Sequence, residues 1–392
     1  MYYVEGFSMK RWVVIILSLF LVSTVRALAN NEEAVYKGLS NLTRVLDLIE
    51  RNYVEDVDAK KLTTAAIEGM VKTLDPYSAY LTPERYRELE IGTSGEFGGV
   101  GMEVTVEDGV LTVITPIEDT PAARAGIKPG DQIIAIDGKS TRGMVADEAI
   151  KMLRGPKGSA VRITIKRKGE ENPREITLIR DVIHVKSVKS QLLSGGIGYV
   201  KLSQFQEKTS EELRDALVKL ESINKGKLKG IILDLRNNPG GLLTQAVEVA
   251  DEFIDKGLIV SVRGRSKEQS TEYYATKNGR FLDYPLVVIV NKGSASASEV
   301  VAEALQDSKR AVILGTKTFG KGSVQTIIKL EDGSGLKLTT ARFYAPSGRS
   351  INRVGVIPDI VVENESDNKD SQLERALELL KTFKVSIAVP KG

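Results

Sequence analysis

The apolar positions of this chain follow three different patterns in succession. From about residue 32 to residue 90 they recur with helical spacing. Leu42, Val45, Leu46 and Ile49 fall at i, i+3, i+4 and i+7, and Leu62, Ala65, Ala66, Met70 and Val71 predict a second helix. Asp75-Pro76 ends that helix, because proline restricts the residue before it and cannot continue the hydrogen-bond ladder. No chemistry is evident in this unit, and its stripe reads as a packing face or a contact between subunits.

A glycine cluster (Gly92, Gly95, Gly98, Gly99, Gly101) then opens a strand-rich stretch running to about Val182. Val104 to Val106, Leu111 to Ile114, Gln132 to Ile136 and Val161 to Lys166 read as short strands separated by turn signals such as Asp108-Gly109 and Asp137-Gly138. Within it, Thr120-Pro121-Ala122-Ala123-Arg124-Ala125-Gly126-Ile127-Lys128-Pro129-Gly130-Asp131, followed by the strand to Ile136, resembles a PDZ domain. By that resemblance Gly99-Val100-Gly101-Met102 is the carboxylate-binding loop. Its backbone N–H groups would capture a peptide C-terminus while the peptide pairs as an extra strand. The last helix of the module, Ala146 to Arg154, ends near the strands that lead onward, which makes Arg154 a regulatory candidate. It would pair with a carboxylate in one arrangement of the domains and lose it in another; its ordinary reading is a solvated arginine at a helix C-terminus.

From about His184 short apolar strands alternate with helices: Gly230 to Leu235, the helix Leu242 to Ile254, Pro285 to Val290, the helix Ala297 to Gln306, and Ala311 to Leu314. That alternation predicts a parallel sheet with crossover helices. Two loops follow strand C-termini and open helices, Arg236-Asn237-Asn238-Pro239-Gly240-Gly241 and Asn291 to Ser296. Ligands bind at that edge of open α/β sheets.

Composition narrows the chemistry. With 392 residues and 42% hydrophobic, the chain can bury more than one core, and it contains one histidine and no cysteine. Disulfides, thiolate metal sites and a cysteine nucleophile are excluded; no metal and no cofactor are expected. Lys+Arg 55 against Asp+Glu 52 leaves no basic field for nucleic acid. The N-terminus suggests export. Met9-Lys10-Arg11 precedes an apolar run from Trp12 to Val25, and Ala27-Leu28-Ala29 has the small-x-small pattern of a signal-peptidase site. The run is short of the roughly 20 residues of a spanning helix, which favours cleavage after Ala29, although Arg26 leaves a membrane anchor open. Glu5 ahead of the basic residues points to Met9 as the true start. The expected location is the periplasm or cell envelope.

A serine with a lysine as its base is the hydrolytic pair this composition leaves most open. Ser296 opens the helix through Glu299 and Glu303, whose positive end favours an oxyanion. Lys321, between Gly320 and Gly322, could serve as base once burial lowers its pKa. Gln325 could hold the lysine or the hydroxyl in register. The N–H groups of Ala297 and of Gly240 or Gly241 could stabilise a tetrahedral intermediate. Taken singly, each has an ordinary reading: a helix cap, a solvated lysine, a tight turn. His184 is the rival base, but no serine motif lies near it.

Several segments together resemble the carboxyl-terminal processing peptidases, or tail-specific proteases. They are Leu74-Asp75-Pro76-Tyr77-Ser78, Asp234 to Gly241, Gly293 to Glu299, Lys317 to Gln325, Arg342 to Ile351 and Pro358-Asp359-Ile360. The resemblance implies Ser296 as nucleophile, Lys321 as general base and Gln325 as orienting residue, on a crotonase/Clp-protease-like α/β core with an inserted mainly-β PDZ domain and an N-terminal helical unit. Tyr77 stands where the family commonly has histidine. The expected division is a signal peptide or anchor at 1–29, a helical unit at 30–91, a PDZ domain at 92–182, a serine protease core at 183–362 and a tail with a helix at 363–392. Substrates would be proteins or peptides with free C-terminal tails; no adaptor is identified. Homodimer surfaces are expected on the N-terminal helices and on the Ser371 to Phe383 helix. Two other functions compete: a catalytically silent PDZ adaptor, and a crotonase-type acyl-CoA enzyme.

Overall fold

Gly230–Asp234 and Leu286–Val290 are buried along their whole length, because the parallel sheet they centre is covered on both faces. In the computed structural model, which describes residues 33–364 and 369–382, this sheet has six strands. Their order is Val188–Leu193, Ile197–Leu202, Gly230–Asp234, Leu286–Val290, Val312–Gly315 and Ile360–Val361; the first pairs antiparallel, the rest parallel. Ile231, Leu233, Val288 and Val290 pack with Leu213 and Leu217 of the helix Thr209–Ile223, Ala246 and Val249 of Leu243–Asp251, and Val301 of Ala297–Asp307. Ile232, Val287 and Ile289 point the other way, against Ala376 and Leu380 of Ser371–Thr382. A strand buried on both faces needs no polar alternation, which is why these strands read as uninterrupted apolar runs.

Arg236 fastens that last helix to the sheet. Its guanidinium bonds Asp234 Oδ2 at 2.6 Å and Asp370 Oδ1 at 2.7 Å, and Tyr199 donates to the same Asp234 oxygen at 2.7 Å. A second, antiparallel sheet joins the hairpin Ser323–Lys329 and Gly335–Tyr344 to Leu258–Gly264, which pairs in turn with Thr271–Tyr274.

The PDZ-like module has the strand order Met102–Glu107, Val110–Pro116, Gln132–Ile136, Ala160–Lys166, Arg174–Ile179. Leu111, Val113, Ile133, Ile163 and Ile165 alternate inward and close its core with Ala149 and Leu153. The chain enters and leaves it on a two-stranded ribbon, Glu96–Gly99 against Asp181–His184.

The chain divides into two compact units, Met1–Tyr80 and Leu81–Gly392. The helix Pro83–Ser94, grouped by sequence with the N-terminal helices, falls in the second. In the first, residues 33–52 are helical with Tyr36, Leu39 and Leu42 exposed. Asp58 caps Ala59–Lys72 by accepting from the Lys60 N–H at 2.9 Å. Asp75 organises the turn after it, accepting from the N–H groups of Tyr77 at 2.7 Å and Ser78 at 2.8 Å. Residue 77 enters that turn through its backbone N–H. The signal-like segment at 1–29 lies outside the described residues. Among the described residues no helix is long and apolar enough to cross a membrane.

Candidate active site

Three loops leave the C-terminal ends of the central strands and are tied to one another. Ser294 Oγ donates to the Leu235 carbonyl at 2.8 Å, the Ala295 N–H to the Asn238 carbonyl at 3.0 Å, and the Phe319 N–H to the Ser294 carbonyl at 3.0 Å. Ser296 sits at the tip of the middle loop with φ 56° and ψ −114°. A left-handed φ is strained for serine and holds the residue at a sharp strand-to-helix corner. Gly240 makes room for that corner: a Cβ there would lie 2.8 Å from the Ser296 Cβ and 3.0 Å from the Ala297 nitrogen.

Glu299, fully buried in the first turn of the helix, joins the loop of Ser296 to the loop of Lys321. Its Oε2 accepts from the N–H of Ser296 at 2.8 Å and of Lys321 at 2.9 Å. Oε1 accepts from Thr318 Oγ1 at 2.5 Å and the Gly320 N–H at 2.7 Å. The sequence reading did not single out Glu299, although Ser-x-x-Glu is the spacing of a capping box. The Lys321 ammonium is held below the ordinary lysine range chiefly by burial, then by the nearby Lys337 charge, with Glu299 opposing both.

Gln325 lies on the strand leaving Lys321. Its amide nitrogen donates to Ser323 Oγ at 2.8 Å and Thr339 Oγ1 at 3.3 Å. The three expected oxyanion donors separate. The Gly240 N–H is engaged by Asn238 Oδ1 at 2.9 Å, so Gly240 supplies space rather than a donor. The N–H groups of Ala297 and Gly241 meet no protein acceptor among the described residues. Gly241, at φ 143°, lies against Phe205, whose carbonyl would be 2.1 Å from any Cβ there.

His184 is engaged elsewhere: its Nε2 is 2.6 Å from Glu212 Oε1, at the end of the ribbon that carries the PDZ-like module. In that module Met102–Glu107 is an edge strand facing the helix Ala146–Leu153 across a groove of about 400 Å³ lined by Phe97, Val100, Met102, Ile150, Leu153 and Arg154. The N–H groups of Val100 and Gly101 at its head donate to no protein acceptor among the described residues, and Gly99 pairs with Asp181 in the ribbon. Gly101 has φ 76° and a Cβ would lie 2.3 Å from Thr120. Arg154 is the C-terminal cap residue of the helix Ala146–Leu153. Its guanidinium stacks 4.6 Å from the Phe97 ring centroid, its Nε is buried without a partner, and it forms no carboxylate pair among the described residues.

A strained serine on an α/β rim, a lysine largely buried on a loop tied to it, and an apolar groove with open N–H donors at its head fit a serine-type peptidase carrying a PDZ domain. Comparison with known proteins agrees. Residues 196–362 match peptidase family S41, 112–167 a PDZ domain, and 20–85 the N-terminal domain of the activating protease CtpB. The carboxy-terminal-processing protease of Bartonella bacilliformis is 48% identical over 341 residues, 87% of this chain and 78% of that protein. The "Probable CtpA-like serine protease" of Staphylococcus aureus is 39% identical over 377 residues, 95% of this chain and 73% of that protein. Among solved structures, a photosystem II D1 C-terminal processing protease is 33% identical, with 83% of this chain and 92% of that one covered at a TM-score of 0.47. The chain belongs to the carboxy-terminal-processing proteases of family S41. An acyl-CoA enzyme is thereby set aside.

Proposed function

We propose that this chain is an exported serine endopeptidase that engages polypeptides by their C-terminal tails through the PDZ groove and cleaves them with a Ser296–Lys321 dyad. The observation that carries this reading is the shared Glu299 oxygen, which ties the backbone of the strained serine to that of the desolvated lysine. In the proposed cycle neutral Lys321 takes the Ser296 hydroxyl proton as Oγ attacks the scissile carbonyl. The N–H groups of Ala297 and Gly241 receive the oxyanion. Protonated Lys321 then gives its proton to the departing amine, leaving an acyl-enzyme on Ser296. Water attacks that ester with Lys321 again as base, and Oγ leaves with the proton returned. Gln325 would steady the lysine through its amide oxygen.

In the groove, the substrate carboxylate would meet the Val100 and Gly101 N–H groups and its last side chain the apolar lining. Arg154, stacked against the ribbon residue Phe97, would sense occupancy. We read 1–29 as the export segment or anchor, 30–91 as a helical unit offering a homodimer surface, 92–182 as the tail reader, 183–362 as the protease and 363–392 as a tail with a second dimer surface. The test is turnover of an unstructured peptide with a free apolar C-terminus by wild type and Ser296→Ala. Intact-mass detection of an acyl-enzyme in the wild type alone is the expected result. Equal turnover by both would refute the assignment, and binding without turnover by either would leave a PDZ adaptor.

A further inference from the structure

Gly240 packs against Ser296, and the chain neighbours of the serine, Ala295 and Ala297, are small. Small neighbours leave room for a polypeptide backbone and offer little apolar surface of their own. Apolar surface appears next door. Phe319 is 60% exposed, Val354 50% and Ile357 62%, although all three lie on short, well-bonded loops. The Thr318 N–H donates to the Val356 carbonyl at 3.2 Å, the Val356 N–H to Thr318 Oγ1 at 2.7 Å, and the Arg353 N–H to the Gly320 carbonyl at 2.8 Å. Phe319 therefore sits between two rungs that join the base loop to the turn carrying Val354.

Its own N–H donates to Ser294, two residues before the nucleophile, while its neighbours Gly320 and Lys321 hang from Glu299. Phe319 is thus fixed relative to both reacting residues. An exposed aromatic ring on backbone pinned this closely to the reactive pair is placed to serve as a binding surface. The occupant is set by size and place. Three side chains on two loops fall far short of the roughly 1,000 Å² of a stable protein interface, and a partner seated there would cover Lys321. A single apolar side chain of the substrate fits both constraints.

We propose that Phe319, with Val354 and Ile357, forms an apolar subsite for a substrate side chain adjacent to the bond cleaved, and so selects which bond is cut. The proposal rests on the Ser296–Lys321 reading. The test uses a peptide series with one constant C-terminal tail and a single residue varied, in turn on either side of the cleaved bond, among Leu, Val, Ala and Ser. Wild type should favour Leu over Ser by about tenfold in kcat/KM on one side. Phe319→Ala should flatten that preference mainly through KM, and Phe319→Leu should restore most of it; Val354→Ser is the second variant should Phe319→Ala fail to fold. Three results would overturn the proposal: a preference unchanged in both variants, a loss of kcat equal for every peptide, or a change in sedimentation without a change in preference. Lys321→Arg on the same peptides separates the two readings. If it still cleaves, the dyad fails, while the Phe319 preference is read independently.

Discussion

Ser296 and Lys321 hang from the same atom: Glu299 Oε2 accepts the serine N–H at 2.8 Å and the lysine N–H at 2.9 Å. Two loops from different parts of the sheet are thereby held in register by one buried carboxylate. Glutamine is nearly isosteric but turns one acceptor into a donor facing N–H groups. Glu299→Gln should therefore lower kcat about 100-fold with little change in KM, and cost about 3 kcal/mol of stability for the unsatisfied donors. Steady-state kinetics with thermal melts checks this; a variant with wild-type kcat would show that the shared oxygen does not position the pair.

Lys321 lies below the usual lysine range, so its neutral form is present at lower pH than for a free lysine. Cleavage should rise with pH as the ammonium loses its proton. Lys321→Arg should abolish it, because a guanidinium stays charged. Lys337 is the second cause of the shift after burial. Lys337→Gln removes a repelling charge, raises the Lys321 pKa and should move the rising limb of the kcat/KM profile to higher pH. A limb that stays put or moves to lower pH would show that Lys321 is not the titrating base.

Gly240 gives a geometric test. Alanine there would place its Cβ 2.8 Å from the Ser296 Cβ at a φ of 104°. Gly240→Ala should remove about 100-fold of kcat by displacing Ser296, at a stability cost of about 1–3 kcal/mol. Tail affinity should be unchanged, since the PDZ groove is built from other segments. A fluorescent tail peptide measures the affinity, and full activity in this variant would argue against a tightly packed corner.

Much of this site was legible in the sequence because local rules and global packing agree there. Ile231 to Leu233 and Val287 to Ile289 form uninterrupted apolar runs because both faces are covered, and Ser296 and Lys321 fall on the loops where such strands end. The pairing of Leu258–Gly264 with Gly335–Tyr344 was not legible. It joins distant segments, and although Val262, Ala341 and Phe343 are buried beside exposed Arg263 and Arg342, no short turn links the two strands to announce the pairing. Glu299 was overlooked because an acid in a first helical turn usually completes a cap, and only the folded chain brings Thr318, Gly320 and Lys321 to it. Gly240 and Gly241 look equivalent in sequence; the Asn238 side chain that engages one N–H separates them.

Glu303, one helical turn beyond Glu299, is buried, and that burial pushes its carboxyl up to about 7 despite Arg349 at 2.8 Å; Asp307 and Glu299 raise it further. Arg349 is mostly exposed, so its charge is screened and does not offset the desolvation. With a folded pKa above the unfolded one, this group's stabilising contribution is full below about pH 4.5 and is lost as pH rises through about 7. Glu303→Gln should gain on the wild type across that window, by up to about 3 kcal/mol at pH 8. Chemical denaturation at pH 4.5 and 8 measures it, and a difference independent of pH would contradict the assignment.

In the proposed reading, tail capture would rest on the Val100 and Gly101 N–H groups, which meet no acceptor in the protein among the described residues. Amidation of a peptide C-terminus removes the charge they would hold and should weaken binding about tenfold or more. Gly101→Ala should have a similar effect from the protein side. Its Cβ would lie 2.3 Å from Thr120 at a φ of 76°, so the loop must reshape and its donors turn away. Arg154→Ala addresses a separate step. Removing the guanidinium from Phe97 should change how strongly a non-cleavable tail peptide stimulates turnover of a second substrate, while the affinity for that tail stays within about threefold. Calorimetry gives the affinities and peptide turnover the stimulation. Equal binding of amidated and free-acid tails would show that the groove does not read the carboxylate, and unchanged stimulation would leave Arg154 as a packing residue of the ribbon.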